Sequence, residues 1–482
     1  MTSFTKAHHR VSTRDMKRRQ LRDTRDEAAT LPFTAVVSPA SSAVERHSKA
    51  NCCKSVSCII SLCVGTVLTG LLLTVYYYLS SAAREESRLV KGNPEPLHAT
   101  SSSTEHASKR GSKSRAILAC YYDPGSAGRI SWTYDLNSDF KHNDCTHIMY
   151  QGIVFEEDRV IAEDEAFART GIPRFVALKR PGLTVMASLR LANLSSISNR
   201  TFVPAVTSWV LENGFEGLDV DIAWDEDASR YNYLVDVLDK PVRDRQLILS
   251  VNVYSTSTFN EVNITALYVN SDFLVLNTYN LTFNQMITAA PAPLYGKISW
   301  NSTIEAVYKQ TKSLARLIPT ISFMSRQFEL DDEFTPASRQ PHDGMRASYF
   351  GPPGIYTNTK GLLAYYEVCS ITTDPGWVRA WQNISFCFMF AKDNQVVIIE
   401  DETSISCKVA YLMQHYLAGV AIKHADLDAF KEKCNKVNPL FQTVLQNVRQ
   451  YKVPTSASIT WRSPDLTTKF ELKPDGTVEC YT

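Results

Sequence analysis

Phe215-Glu216-Gly217-Leu218-Asp219-Val220-Asp221-Ile222-Ala223-Trp224 is the stretch on which the fold turns. Successive side chains of a β-strand point to opposite faces. Leu218, Val220 and Ile222 therefore share one apolar face, while Asp219, Asp221 and Ala223 share the other. Burying two like charges side by side is costly, so a strand end that carries them serves a site where one carboxylate holds a proton or meets a ligand. The plain alternative is that Asp219 and Asp221 cap neighbouring loops.

Outward from this strand, short β-rich runs alternate with helical patterns over 117–122, 146–152, 183–188, 217–222, 247–253, 273–279, 317–323 and 419–422. Between the third and fourth runs, Phe202, Ala205, Val206, Trp209 and Val210 recur at helical spacing, as in a helix that covers a parallel sheet. Eight such units predict an α/β protein, a (β/α)8 TIM barrel, with an α+β insertion in the long gap between strands seven and eight. Periodicity alone leaves a doubly wound sheet open. In the barrel, Asp219 and Asp221 point inward.

The N-terminal part has a different composition. Residues 1–54 carry 11 Lys/Arg against 5 Asp/Glu, and the remainder 40 against 45, so the body is not a nucleic-acid binder. No charge occurs from 55 to 83, long enough for a helix to cross about 30 Å of hydrocarbon. The organisation expected is a cytoplasmic tail (1–54), a transmembrane signal anchor (55–79), a Ser-rich stalk (80–115), the barrel (116–450, with the insertion at about 330–404) and a C-terminal extension (451–482). The sequons at Asn193, Asn199, Asn263, Asn280, Asn301 and Asn383 all follow the span. They predict a single-pass type II membrane protein whose C-terminal domain is extracellular or lumenal. Seven cysteines would lie in that oxidising compartment, which leaves one unpaired. No metal-ligand spacing, phosphate loop or serine-nucleophile elbow stands out, so no metal or cofactor is expected.

From about residue 116 to 445 the chain resembles glycoside hydrolase family 18, the chitinases and chitinase-like lectins, whose fourth strand reads D-G-x-D-x-D-x-E. Cys120-Tyr121-Tyr122, Cys145-Thr146-His147-Ile148, Arg326-Gln327-Phe328-Glu329-Leu330, Gly361–Cys369 (GLLAYYEVC), Leu417-Ala418-Gly419 and Asp426-Leu427-Asp428-Ala429-Phe430 match in order. The resemblance implies the disulfides Cys120–Cys145 and Cys369–Cys434. Cys387 and Cys407 remain as a plausible third pair, with Cys480 as the odd thiol. Asn280 would sit at a strand mouth, where a glycan would fill the cleft, so glycosylation is expected at Asn193, Asn199, Asn263, Asn301 and Asn383.

The same resemblance implies a reaction in which a Glu protonates the glycosidic oxygen while an Asp orients the substrate's N-acetyl group. At the position of that Glu stands Ala223, and the degenerate motif reads Glu216, Asp219, Asp221, Ala223. Losing a general acid costs about 10²- to 10⁴-fold in rate. Asp225 and Glu226 are the candidates for a displaced acid. The Trp that floors the family's sugar site corresponds to Lys423; the strand-six Asp corresponds to Asn280, the cleft Phe of strand two to Gly152, the strand-three glycine pair to Leu189-Arg190, and the Tyr of Y-x-R to Met324. Tyr121, Asp219, Asp221, Tyr279 and Arg326 remain, and with Asn280 and Lys423 they are the expected cleft residues. If Lys423 points inward, its ammonium pairs with Asp221 or Asp219; otherwise it snorkels out and His424 faces in.

The leading expectation is thus a catalytically inactive, membrane-anchored chitinase-like ectodomain that recognises a chitin- or GlcNAc-type glycan or a protein. Two alternatives stay open: an active chitinase or N-acetylglucosaminidase with a displaced acid, and a partner-binding ectodomain without carbohydrate affinity.

Overall fold

The computed structural model describes residues 115–129, 131–191, 194, 197–222, 228–254, 262–282, 286–335, 340–451, 469–472 and 478–481. The expected tail, anchor and almost all of the stalk lie outside these, as do Asn193, Ala223, Asp225 and Glu226. Among the described residues no helix is long and apolar enough to cross a membrane.

In chain order the strands are β1 (Ile117–Tyr122), β2 (His147–Glu156), β3 (Arg159–Ala162), β4 (Thr184–Leu191), β5 (Gly217–Ile222), β6 (Ile248–Tyr254), β7 (Phe273–Asn277), β8 (Leu317–Ile321), β9 (Met324–Leu330), β10 (Ala347–Phe350), β11 (Leu362–Ala364), β12 (Val378–Gln382), β13 (Cys387–Lys392), β14 (Gln395–Ile399), β15 (Gly419–Ile422), β16 (Lys469–Leu472) and β17 (Val478–Tyr481). β1, β2, β4, β5, β6, β7, β8 and β15 pair in parallel, and β1 bonds to both β2 and β15, which closes the barrel. All eight predicted strands are present. Closure needs a glycine where β15 meets β1, because a Cβ at Gly419 would lie 1.9 Å from the Ile117 carbonyl oxygen.

Strand parity divides the core. Leu118, Cys120, Leu218, Val220, Val420 and Ile422 join a large apolar cluster with residues of the covering helices, such as Phe202, Val206 and Val210. Ala119, Tyr121, Met149, Met186, Phe273, Val275, Ile318 and Ala421 form a second, separate cluster. Helices follow six of the barrel strands at Glu165–Val176, Asn199–Glu212, Ala228–Asp244, Ile264–Val269, Trp300–Thr311 and Pro439–Gln450, and Glu402–Gln414 precedes the last.

The insertion is a six-stranded antiparallel sheet in the order β10-β9-β14-β13-β12, with β11 also on β9. It begins at Met324, six residues before the expected boundary, because β9 turns directly off β8 and pairs with β14.

Two expected disulfides are present, Cys120–Cys145 and Cys369–Cys434. The third is not: Cys387 does not pair with Cys407. Cys407 pairs instead with Cys480, and Cys387 is a free, buried thiol. The reason is packing. Cys387 sits on β13 within the insertion's own apolar cluster with Phe328, Met389 and Ile398. Cys407 lies on the helix Glu402–Gln414, against which the terminal strand β17 packs. The described part of the C-terminal extension is therefore a hairpin of β16 and β17 stapled to the barrel.

Candidate functional site

β5 delivers Asp219 and Asp221 to the barrel interior, and register supplies their neighbours. Asp219 lies level with Ser188 on β4 and Ser250 on β6. It is fully buried and meets four side-chain donors. Ser250 Oγ donates to Oδ1 at 2.6 Å, Ser188 Oγ to Oδ2 at 2.8 Å, Tyr121 OH to Oδ2 at 3.0 Å, and Asn252 Nδ2 approaches both oxygens at 2.8 Å. Asn277 Nδ2 in turn donates to Asn252 Oδ1 at 3.1 Å, which fixes that amide's orientation. Burial pushes the Asp219 carboxyl above its ordinary range and the neighbouring Asp221 adds to this, while the Ser250 hydroxyl, Lys423 and Ser188 oppose it.

Asp221 is held differently. Tyr254 OH donates to Oδ1 at 2.7 Å, and Lys423 Nζ reaches Oδ2 at 3.1 Å. Lys423 follows β15 at the parity of Ala421, so its side chain enters the barrel, where it is 2% exposed. The snorkelling alternative is excluded. The ammonium lies 4.8 Å from the ring centroid of Tyr121, 5.9 Å from Tyr279 and 6.0 Å from Tyr254, distances at which ring faces attract a cation. Burial acts to lower the Lys423 pKa, but Asp221, with Tyr279 and Asp219, more than offsets this and holds it above the ordinary lysine range. Lys423 thus has a buried carboxylate partner for its ammonium.

Of the remaining predicted residues, Tyr279 borders the pair and the others make their recorded contacts elsewhere. Arg326 on β9 donates to Asn280 Oδ1 and lies over the Phe350 ring at 5.1 Å; burial pulls its pKa down to about 10. Asn280 adopts a left-handed conformation with φ +54°, one that Asn tolerates well. Tyr279 meets the His424 ring edge-on at 6.4 Å. Glu216 turns away from the pair, accepting from Val185 N at 3.0 Å, with Lys179 4.0 Å off. Gly152 occupies a bulge in β2 with φ +77°, a conformation that explains the glycine. Arg190 is on the outside, paired with Glu163.

Of the sequons, Asn263 caps the helix Ile264–Val269 and accepts from Ala266 N at 3.1 Å. Asn301 accepts from Tyr411 OH at 3.0 Å, Asn199 opens its helix, and Asn383 is exposed between β12 and β13.

Sequence reasoning missed Ser188, Ser250, Asn252, Tyr254 and Asn277. A signal was available: Ser250, Asn252 and Tyr254 alternate with Leu249, Val251 and Val253, the same two-residue period that marked Asp219 and Asp221.

Chemically, the described site can hold a charge pair and a donor-saturated carboxylate. Asp219 takes hydrogen bonds from four side chains, and Asp221 meets Lys423 and Tyr254.

Comparison with known proteins places this geometry. Residues 117–428 match the model of Glycosyl hydrolases family 18. Chitotriosidase-1 of Mus musculus is 26% identical over 377 residues, covering 70% of this chain and 78% of that protein. Probable chitinase 10 of Drosophila melanogaster is 26% identical over 377 residues, covering 68% of this chain but only 16% of the relative. Human YKL-39, described as a pseudo-chitinase with retained chitooligosaccharide binding properties, superposes with a TM-score of 0.60 at 20% identity over 69% of this chain and 99% of its own. The barrel, its insertion and the family match together show that the chain belongs to glycosyl hydrolase family 18.

Proposed function

We propose that this protein is a catalytically inactive chitinase-like ectodomain of a type II membrane protein, acting in recognition of a glycan or protein through the loops at the barrel mouth. The observation that carries the reading is the buried Lys423–Asp221 pair, at 3.1 Å beside a donor-saturated Asp219. The family reaction uses a strand-five Asp to orient the substrate's N-acetyl group; here Asp221 pairs with Lys423 and accepts from Tyr254. The sequence adds Ala223 where the proton donor is required. A methyl group has no proton to give.

The topology is part of the proposal. The uncharged stretch 55–79 anchors the chain with residues 1–54 in the cytoplasm, and the body is lumenal or extracellular. Glycans on Asn193, Asn199, Asn263, Asn301 and Asn383 belong to that arrangement.

Purified full-length protein incubated with 4-methylumbelliferyl chitotrioside is expected to release no fluorophore above the blank. Release that disappears in Asp225→Asn or Glu226→Gln overturns the reading and identifies a displaced acid.

A further inference from the structure

The loop 351–361, between β10 and β11, combines two properties that seldom coincide: its backbone is tightly held and it presents bare apolar surface. Its base is closed by Gly361 N bonded to Gly351 O at 3.0 Å, and by Gln327 bonded to both glycines at 2.9 and 3.0 Å. Its interior is organised by the Glu367 carboxylate. That group accepts from Tyr356 N at 2.7 Å, Thr357 N at 3.2 Å, Thr357 Oγ1 at 2.9 Å and Ala364 N at 2.8 Å. The fit leaves no room for a side chain at Gly354, whose Cβ would lie 2.5 Å from Glu367 Oε1. On this rigid frame Ile355 is 89% exposed, and Tyr349 at the foot of the loop is 58% exposed.

The surroundings are cationic. Tyr356 folds back onto Trp132 at 5.0 Å, and Trp132 packs on Tyr366 and Phe430. Lys433 Nζ lies 4.4 Å from the Tyr356 centroid and 5.2 Å from Trp132, and Lys431 Nζ 5.4 Å from both Trp132 and Phe430. Lys360 Nζ lies 5.0 Å from Tyr349. None of the three lysines is in an ion pair among the described residues. Ring faces, and for Lys431 the Thr133 carbonyl at 3.1 Å, thus hold three ammoniums without a carboxylate partner among the described residues, on a body that carries more Asp/Glu than Lys/Arg.

We infer that this surface docks an acidic protein segment, one whose apolar side chain receives Ile355 and Tyr349 while its carboxylates meet Lys360, Lys431 and Lys433. An aromatic and aliphatic centre with a charged rim is the anatomy of a protein interface, and a rigid loop loses little entropy on binding. A polyanionic glycan fits less well. The ammoniums cover the ring faces on which a sugar would stack, and an exposed isoleucine offers a polysaccharide nothing. The inference does not depend on whether the barrel is inert, because it uses no residue of the Asp219–Asp221–Lys423 site.

The test is selection of a random peptide library, displayed on phage, against the full-length protein in detergent micelles. The enriched consensus is expected to place Asp or Glu on either side of an aromatic or aliphatic residue. A synthetic consensus peptide, followed by fluorescence anisotropy, is expected to lose about tenfold or more in affinity with Ile355→Asp, and likewise with Lys431→Gln plus Lys433→Gln. Lys240→Gln plus Lys309→Gln, which touches exposed lysines elsewhere, is expected to leave affinity unchanged. All these positions lie on the surface, and circular dichroism checks that each variant folds. A selection that enriches nothing, a consensus without acidic residues, or binding indifferent to Ile355→Asp overturns the inference. So does a heparin oligosaccharide that binds through the same lysines regardless of residue 355.

Discussion

Lys423→Met is expected to cost about 3–5 kcal/mol of unfolding free energy, the usual penalty for removing one member of a buried ion pair. The variant leaves the Asp221 carboxylate with Tyr254 as its remaining partner in a largely buried site. Urea unfolding reads this as a fall in midpoint at constant slope. A second substitution separates lost charge pairing from lost packing: Lys423→Met with Asp221→Leu removes both charges and is expected to recover most of the deficit. The pH dependence has a definite sign. A lysine whose folded pKa is raised keeps its full contribution below its ordinary pKa of about 10.4 and loses it only as pH rises beyond. The gap between wild type and Lys423→Met is therefore flat through neutral pH and narrows in strong alkali.

Cys480→Ser is expected to cost about 4 kcal/mol in the chain-entropy account, because the lost Cys407–Cys480 bond closes a separation of 73 residues. It frees the hairpin of β16 and β17 from the helix Glu402–Gln414. Peptide mapping without reduction gives an independent readout. It should recover a Cys407–Cys480 crosslinked peptide, with Cys387 alkylated only after denaturation, since burial shields that thiol and pushes its pKa up. A Cys387–Cys407 peptide would contradict the packing described above.

How legible these features were in the sequence depended on whether the decisive interaction is local. All eight barrel strands were readable because a parallel strand covered on both sides must be an apolar run, whatever surrounds it. Asp219 and Asp221 were readable because two carboxylates violate that rule at a fixed period. Ser188, Ser250, Asn252 and Tyr254 violate it more quietly. A hydroxyl or amide in a strand is unremarkable until register sets it beside a buried carboxylate, and register is a property of neighbouring strands. The third disulfide failed for the same reason. Cys387 and Cys407 are closer in sequence than Cys407 and Cys480, but β13 buries its cysteine inside the insertion while β17 returns to the helix. Lys423 was predictable from parity alone, since a residue continuing the inward face of β15 meets the carboxylates of β5. Which carboxylate it meets was not. Four other donors already surround Asp219, and Asp221 is the acceptor left for the ammonium.

Under the proposed function, the protein's own Lys423 takes the place where a sugar would be bound. Isothermal titration of tetra-N-acetylchitotetraose into wild type and Lys423→Trp is the decisive measurement. Wild type is expected to give no binding heat up to about 1 mM ligand, a ceiling of roughly 4 kcal/mol of affinity, while Lys423→Trp gains measurable binding. Micromolar binding by wild type that is lost in Asp221→Asn would contradict the claim, because it would show the carboxylate turned toward sugar and not toward Lys423.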